Sequence, residues 1–406
     1  MTNRTDYEND DDEDEHDLCV REPDHDSSGP RAQEKNYTIL SESDIRARQD
    51  RDIHTLSAVL SISPEASAAL LSHHNWCLTT VCDSWYLDNP AIQATCVDND
   101  HLARSYVDNK KNIKWCPAPG GCRYAVEFVN DNNDDGPFEV TCACSHRFCW
   151  NCCEEAHRPV DCVTAAMWAA KNLDEAQNVE WWLPLNPKAC PKCGVPVKKR
   201  DGCMRVACAR GPWCAHEFCW LCLREWSAHG GPCNGFEERQ RRRAVPRSRW
   251  MVARVTFERY AHYFERWSVH DASMAKARLD FARLGERQDV QDCGFVLDAW
   301  MVIVECRRVL KWSYVYGYYV LAHEEEEEEE GKKKKKRGLF EFLQGAAETE
   351  LERLHKLVEV DLWALVEAEG RCEGFLDFHE EIVKLTRVTR SHFENLVRAV
   401  EKGLEM

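Results

Sequence analysis

The sequence lacks any apolar run long enough to span a bilayer. Its most apolar stretch, Trp300 to Leu321, is broken by Glu305, Arg307, Arg308 and Lys311, so an integral membrane protein is not expected. The basic and apolar regions of a secretory signal are missing too. From Met1 to Asp26 there are 12 acids against Arg4 and Arg21, and almost nothing apolar. A secreted protein is therefore not expected, which points to a reducing compartment, cytoplasmic or nuclear. Positive charge is also in short supply, with 70 acids against 53 bases and a net charge of −17. A chain that tracks a phosphate backbone needs the opposite balance, so neither a nucleic-acid reader nor a membrane-bound protein is expected. The arginine run from Arg239 to Arg249 is a local exception.

What the sequence does hold is cysteine, 23 in 406 residues, and 16 of them lie between Cys116 and Cys233. In a reducing compartment such density indicates metal ligands before disulfides. Around this centre the chain divides by pattern. Residues 1–36 are an acidic tail with too little apolar surface to offset ordering entropy. Residues 37–90 carry Ile45, Ile53, Leu56, Val59 and Leu60 at helical spacing. Pro64 then opens a second helix, and Trp76, Val81 and Trp85 continue the series, predicting a small helical bundle. From Phe236 to Met406 the pattern is helical and aromatic, with core stripes at Tyr260, Tyr263, Phe264 and Trp267 and at Trp300, Ile303, Val304, Leu310 and Tyr314. Seven acids and six bases at 324–337 read as a solvated loop. The expected fold class is mainly α, with small zinc-stabilised modules containing β-structure.

In the centre, the first block supplies Cys116, Cys122, Cys142, Cys144, Cys149, Cys152, His157 and Cys162. The second supplies Cys190, Cys193, Cys208, Cys214, Cys219, Cys222, His229 and Cys233. Each octet completes two tetrahedral sites, so four Zn²⁺ ions are expected as structural replacements for a core. With those ions and their thiolates counted, the centre carries a formal charge of about −8, again unsuited to nucleic acid.

Two cysteines are left over. Cys153, next to Glu154 and Glu155, is expected to be inert. Cys203 sits in the loop Lys198-Lys199-Arg200-Asp201-Gly202-Cys203-Met204-Arg205, among cations that favour a thiolate. By spacing alone it is either a nucleophile or a spare structural thiol.

These residues resemble the RING-between-RING ubiquitin ligases of the Ariadne subfamily, in plant-like wording. The likeness rests on Lys114-Trp115-Cys116-Pro117-Ala118-Pro119, Phe148-Cys149-Trp150-Asn151-Cys152, Cys190-Pro191-Lys192-Cys193 and Glu217-Phe218-Cys219-Trp220-Leu221-Cys222. It continues in the helix Arg307-Arg308-Val309-Leu310-Lys311-Trp312-Ser313-Tyr314. The resemblance implies a ubiquitin-associated-like bundle at 37–90, an in-between-RING module at 116–162 and a linker at 163–189. A catalytic second RING-like module at 190–233 and an Ariadne domain at 236–406 complete it.

The resemblance also implies that Cys203 accepts ubiquitin from a conjugating enzyme as a thioester and passes it to substrate lysines. Phe340 and Glu341 would cover that cysteine at rest. The bundle would bind cullin-type ligases carrying a ubiquitin-like modifier. The competing reading is a non-catalytic binding or regulatory protein of the same pathway.

Three departures matter. Residues 91–115, with only Cys96 and His101 as ligand types, replace the family's first RING, so an internal stretch is read as deleted and 91–115 as its remnant. Arg205 stands where the family has histidine, and guanidinium cannot take a proton from an attacking lysine. Gly120-Gly121 lengthens the first ligand pair by one residue, which glycine tolerates.

Overall fold

The computed structural model describes residues 37–87, 99–128, 138–179, 187–199, 202–208, 213–229, 233–236, 249–285, 294–323, 330–361 and 375–405. The acidic tail, Cys96 and Glu324 to Glu329 lie outside them, as does the side chain of His101. Among the described residues no helix is long and apolar enough to cross a membrane.

The bundle begins with a strand, β1 (Tyr37–Leu40), followed by α1 (Glu42–Leu60), α2 (Pro64–His73) and α3 (Leu78–Leu87). Ser41 starts α1 through a capping box with Asp44, and Ser63 caps α2 with Pro64 in its first turn. Ile45, Leu56, Leu70, Leu71, Trp76 and Val81 form the core. Val59, expected on the same stripe, is 54% exposed, because the buried face of α1 is narrower than the apolar period suggests.

The segment expected as a remnant, 91–115, is described from residue 99 onward. Its helix α4 (Asn99–Asn109) packs Tyr106 edge-on against Trp76, with ring centroids 5.1 Å apart. Lys110 caps the Trp76 carbonyl at 2.9 Å. The following strand β2 (Ile113–Trp115) joins β1 on either side of β3 (Ala125–Phe128), giving the antiparallel order β1-β3-β2. The bundle expected at 37–90 and the module expected at 116–162 are thus joined by hydrogen bonds, since β1 pairs with β3.

That module continues with β4 (Glu139–Thr141) and β5 (Arg147–Cys149). The first part of the segment expected as a linker, 163–189, belongs to a helix, α5 (Cys162–Val179). Its Trp168 is wholly buried among Tyr260, Phe264, Trp267, Tyr318 and Tyr319. The second module contains β6 (Lys188–Ala189), β7 (Pro196–Val197), β8 (Arg205–Ala207) and β9 (Glu217–Cys219), paired as two hairpins.

The C-terminal bundle comprises α6 (Arg249–Gly285), α7 (Gly294–His323), α8 (Glu330–Lys356), a π-turn at Leu357–Asp361, and α9 (Phe375–Glu401). Trp300, Ile303, Leu310 and Tyr314 of α7 are wholly buried at its centre. Of the loop expected at 324–337, the described residues from Glu330 onward are helical. Lys332 to Arg337 belong to α8, in keeping with the good helix propensity of lysine and arginine.

Helix α7 bridges both modules through neighbouring residues. Arg308 reaches the first, pairing with both Glu139 oxygens at 2.5 and 2.9 Å and donating to the Ala156 carbonyl at 2.7 Å. Lys311 pairs with Glu155, and Trp312 meets the His157 ring edge-on. Arg307, about 100° around the helix from Arg308, faces the second module instead.

Candidate active site

The sixteen expected ligands come together in chain order as four groups. They are Cys116, Cys122, Cys142 and Cys144; Cys149, Cys152, His157 and Cys162; Cys190, Cys193, Cys208 and Cys214; and Cys219, Cys222, His229 and Cys233. Within each, the ligand atoms lie within 4.8 Å of one another. A tetrahedron with Zn–S bonds near 2.3 Å has sulfur edges of about 3.8 Å. The observed Sγ···Sγ separations of 3.6 Å for Cys116–Cys144 and Cys193–Cys208, 3.9 Å for Cys190–Cys214 and 4.0 Å for Cys219–Cys233 fit that geometry.

The histidines fit as well. His157 has Nδ1 against the Val160 carbonyl at 2.8 Å, leaving Nε2 3.5 Å from Cys152 Sγ. His229 Nε2 is buried with no hydrogen-bond partner. Four Zn²⁺ ions fit these sites, and with four protein ligands each they would stabilise the fold and leave no position for water. The spare Cys153 stays outside the groups, at a left-handed turn with φ of 61°.

The two modules repeat one scaffold. Lys114 Nζ donates to the Trp150 carbonyl at 2.6 Å and lies 4.8 Å from that ring's centroid. Lys188 does the same at Trp220, at 2.7 and 5.0 Å. His146 stacks on Phe148 as His216 stacks on Phe218. His216 is thereby part of the scaffold. Trp150 N donates to the Phe138 carbonyl at 2.7 Å, and Trp220 N to that of Met204 at 2.9 Å. Cys203 therefore occupies, one residue earlier, the place that Pro137 holds in the first module's sequence.

Cys203 is 3% exposed, enclosed by α8 and the π-turn. Its Sγ lies 3.8 Å from the Glu352 carbonyl and receives the Arg205 N–H at 3.4 Å. Glu359 accepts from Gly202 N at 2.8 Å and Cys203 N at 3.2 Å, while Glu352 accepts from Met204 N at 2.6 Å. Gly202 lies flat against His355, whose ring a Cβ at this position would overlap.

Behind this layer Arg307, fully buried, pairs with Glu352 at 2.5 Å. It also contacts Nδ1 of His355 at 2.8 Å and Nδ1 of His270 at 3.1 Å. Lys276 holds Glu359 at 2.8 Å.

The electrostatics reverse the sequence expectation for the resting thiol. Burial, and then the Glu352 carboxylate, push Cys203 well above the usual thiol range, outweighing the Arg205 N–H and Arg307. Of the expected cations, Lys199 is turned to the Gly202 carbonyl and Ser273 Oγ, both at 3.2 Å. Burial beside Arg307 lowers it to about 8. Arg205 is tied to both Glu217 oxygens at 2.5 and 2.6 Å. Burial works against Glu352, but Arg307 and the Met204 N–H hold its carboxyl below the ordinary range. His355 is driven well below the ordinary imidazole value by burial and then by Arg307, and so stays neutral.

Phe340 and Glu341 sit elsewhere than expected. Phe340 is buried beside Tyr316 and Gly317 in the helical core. Glu341 pairs with Arg337 at 2.9 Å and lies over Gly235, while its carbonyl accepts from Asn234 at 2.7 Å. They hold the exit of the second module, and the side chains that enclose Cys203 belong to Glu352, His355 and Glu359, three to five turns further on. Sequence reasoning missed those three. They lie in a charged helix where nothing in the pattern separates them from solvent-facing acids.

The comparisons with known proteins match three stretches of the chain. A model of the IBR domain, a half RING-finger domain, matches residues 98–162, and a second IBR model matches 185–233. A model of the Ariadne domain matches 258–404. From Arabidopsis thaliana, the probable E3 ubiquitin-protein ligase ARI8 is 36% identical over 92% of this chain and 82% of its own length. For the probable E3 ubiquitin-protein ligase ARI7 the figures are 35%, 98% and 88%. The probable E3 ubiquitin-protein ligase rbrA of Dictyostelium discoideum is 32% identical over 75% of this chain and 58% of its own. The two plant alignments run over 480 and 515 positions, more than the 406 residues present here, so those relatives carry internal residues that this chain lacks.

Proposed function

The chain belongs to the Ariadne-type RING-between-RING ubiquitin ligase family, and on that footing we propose that Cys203 is the residue that accepts ubiquitin as a thioester. The observation that supports this most directly is the repeat. One scaffold is used twice, and only the second copy places a thiol in the loop entering β8, outside both ligand groups and under a cover of acidic side chains. A structural thiol would need no such cover. Ubiquitin, a conjugating enzyme and a protein substrate are the partners of this reading, with modified cullin-RING ligases at the helical bundle, in the cytoplasm or nucleus.

The two steps are unequal in this chain. Acceptance needs a thiolate, and Arg205 N–H already points at Sγ. Release to a lysine needs a base, and Arg205 is a guanidinium paired with Glu217. Slow release is therefore expected. The same pairing favours, as a second reading, a chain that binds ubiquitin-pathway proteins without completing transfer.

The test is a single-turnover reaction with activating enzyme, a cysteine-reactive conjugating enzyme and ubiquitin, in full-length protein with and without Glu352→Ala and Glu359→Ala. A thiol-labile adduct that disappears in Cys203→Ala is the expected result. Its discharge to lysine should accelerate in Arg205→His. No adduct even from the uncovered variant would leave only the binding reading.

A further inference from the structure

The N–H groups of Gly202, Cys203 and Met204 are three successive donors, and each is met by a carboxylate oxygen from the helical domain. Gly202 N lies 2.8 and 3.1 Å from the two Glu359 oxygens, Cys203 N lies 3.2 Å from Glu359 Oε2, and Met204 N lies 2.6 Å from Glu352 Oε2. The amides of Gly202 and Cys203 converge on one carboxylate, as successive amides do in a nest, and that of Met204 meets a second carboxylate beside it. Both anions are aimed from behind, Glu359 by Lys276 at 2.8 Å and Glu352 by Arg307 at 2.5 Å. The middle amide belongs to the cysteine itself, so an oxygen bonded to the carbon that Sγ attacks falls within reach of the same donors.

Acyl transfer creates such an oxygen. As the Cys203 thiolate attacks a thioester carbonyl, the new C–S bond forms and the carbonyl π pair moves onto oxygen. Collapse restores the C=O bond and expels the donor's sulfur, which takes up the proton that Cys203 gave to solvent. Preorganised N–H donors beside the nucleophile stabilise the intermediate charge.

Resting on the reading of Cys203 as ubiquitin acceptor, we propose that the amides of Gly202, Cys203 and Met204 are the oxyanion-stabilising donors of this reaction. Glu359 and Glu352 are then internal anions that occupy those donors until α8 and its π-turn withdraw. The cover thus does two things: it hides the thiol, and it fills the electrostatic site.

Two reactions at Cys203 of the full-length chain separate these roles. Alkylation by iodoacetamide reports exposure and forms no oxyanion. Acylation by ubiquitin carrying a C-terminal thioester of a small thiol forms one, and needs no conjugating enzyme. Glu359→Ala is expected to raise both rates, with acylation gaining about 10-fold more than alkylation. Equal gains would show that Glu359 is only a steric cover and would overturn the proposal.

In the Glu359→Ala background, Met204→Pro removes one N–H. Acylation should then fall about 100-fold, with alkylation and a zinc content of four retained. Unchanged acylation would also overturn it. If Met204→Pro loses zinc, the ratio of rates in Glu359→Ala alone decides. Transfer from the small thioester without transfer from a conjugating enzyme would sink the ligase reading and leave the donor assignment standing.

Discussion

Both zinc modules carry ion pairs to the helical domain, Arg147 and Arg158 of the first to Glu305 and Glu401, and Lys188 of the second to Glu265, but their most buried contacts differ. The first offers acidic side chains, Glu139 and Glu155, to the cations Arg308 and Lys311 of α7. The second offers neutral backbone N–H groups to the acids Glu352 and Glu359. A contact between full charges with buried partners is hard to undo, because separation strands a desolvated ion. A contact between an ion and backbone amides can exchange one anion for another. On the proposed function, the contact around Cys203 is accordingly the one expected to be displaced first.

Breaking the metal sites should have the largest effect and should show whether the modules are independent. Cys219→Ser is expected to cost the second module its fold, since structural zinc supplies about 10 kcal/mol or more of folding free energy in modules this small. Metal analysis should fall from four ions, and Cys203 should become freely alkylated. Cys149→Ser should instead lower the zinc content while leaving Cys203 protected. Loss of protection there would mean that the modules fold as one unit.

Arg307→Ala and Arg308→Ala, adjacent on α7, sharpen the contrast next. The first leaves Glu352 buried and unpaired, at a cost of about 3–5 kcal/mol, and should expose Cys203 to alkylation. The second should loosen the first module without exposing the cysteine, as protease cutting around Glu139 would show. If both expose Cys203 alike, the two interfaces are not separable.

A smaller effect is expected from Gly202→Ala, whose added methyl group overlaps the His355 ring. A shift of this kind costs about 1–3 kcal/mol, enough to raise alkylation several-fold with the zinc content unchanged.

The smallest is a pH effect. His262 is lowered to about 3 by burial and then Arg266, and burial first of all also lowers His270 and His355. A histidine depressed in the folded state contributes its full stability above its unfolded value of 6.5 and loses it as pH falls below that value. Acidification from pH 7 to 5 should therefore weaken the second interface. Glu352, lowered from 4.5, keeps its contribution across that window. Hydrogen-exchange protection at residues 202–204, corrected for the slower intrinsic exchange at low pH, should fall on acidification, and less so in His355→Gln.

Local pattern made much of this legible. The sixteen ligands could be read because zinc geometry demands ligand pairs a few residues apart, a constraint that lies within the sequence. The aromatic stripes of α6 and α7 could be read from helical period. Residues 37–40 could not be read as a strand, because their partner, Ala125–Phe128, lies some 85 residues away. Lys332 to Arg337 were misread because composition alone does not separate a charged loop from a charged helix.

By itself the sequence determined the four-zinc ligand set, the helical domains around it, the spare cysteine and the arginine in place of histidine. The tertiary structure alone decided the state of Cys203. Its burial, its raised pKa and its carboxylate cover depend on Glu352 and Glu359, about 150 residues further along the chain. A thiol's reactivity is set by desolvation and by charges within a few ångströms. Those distances run through space, and no local pattern in the chain encodes them.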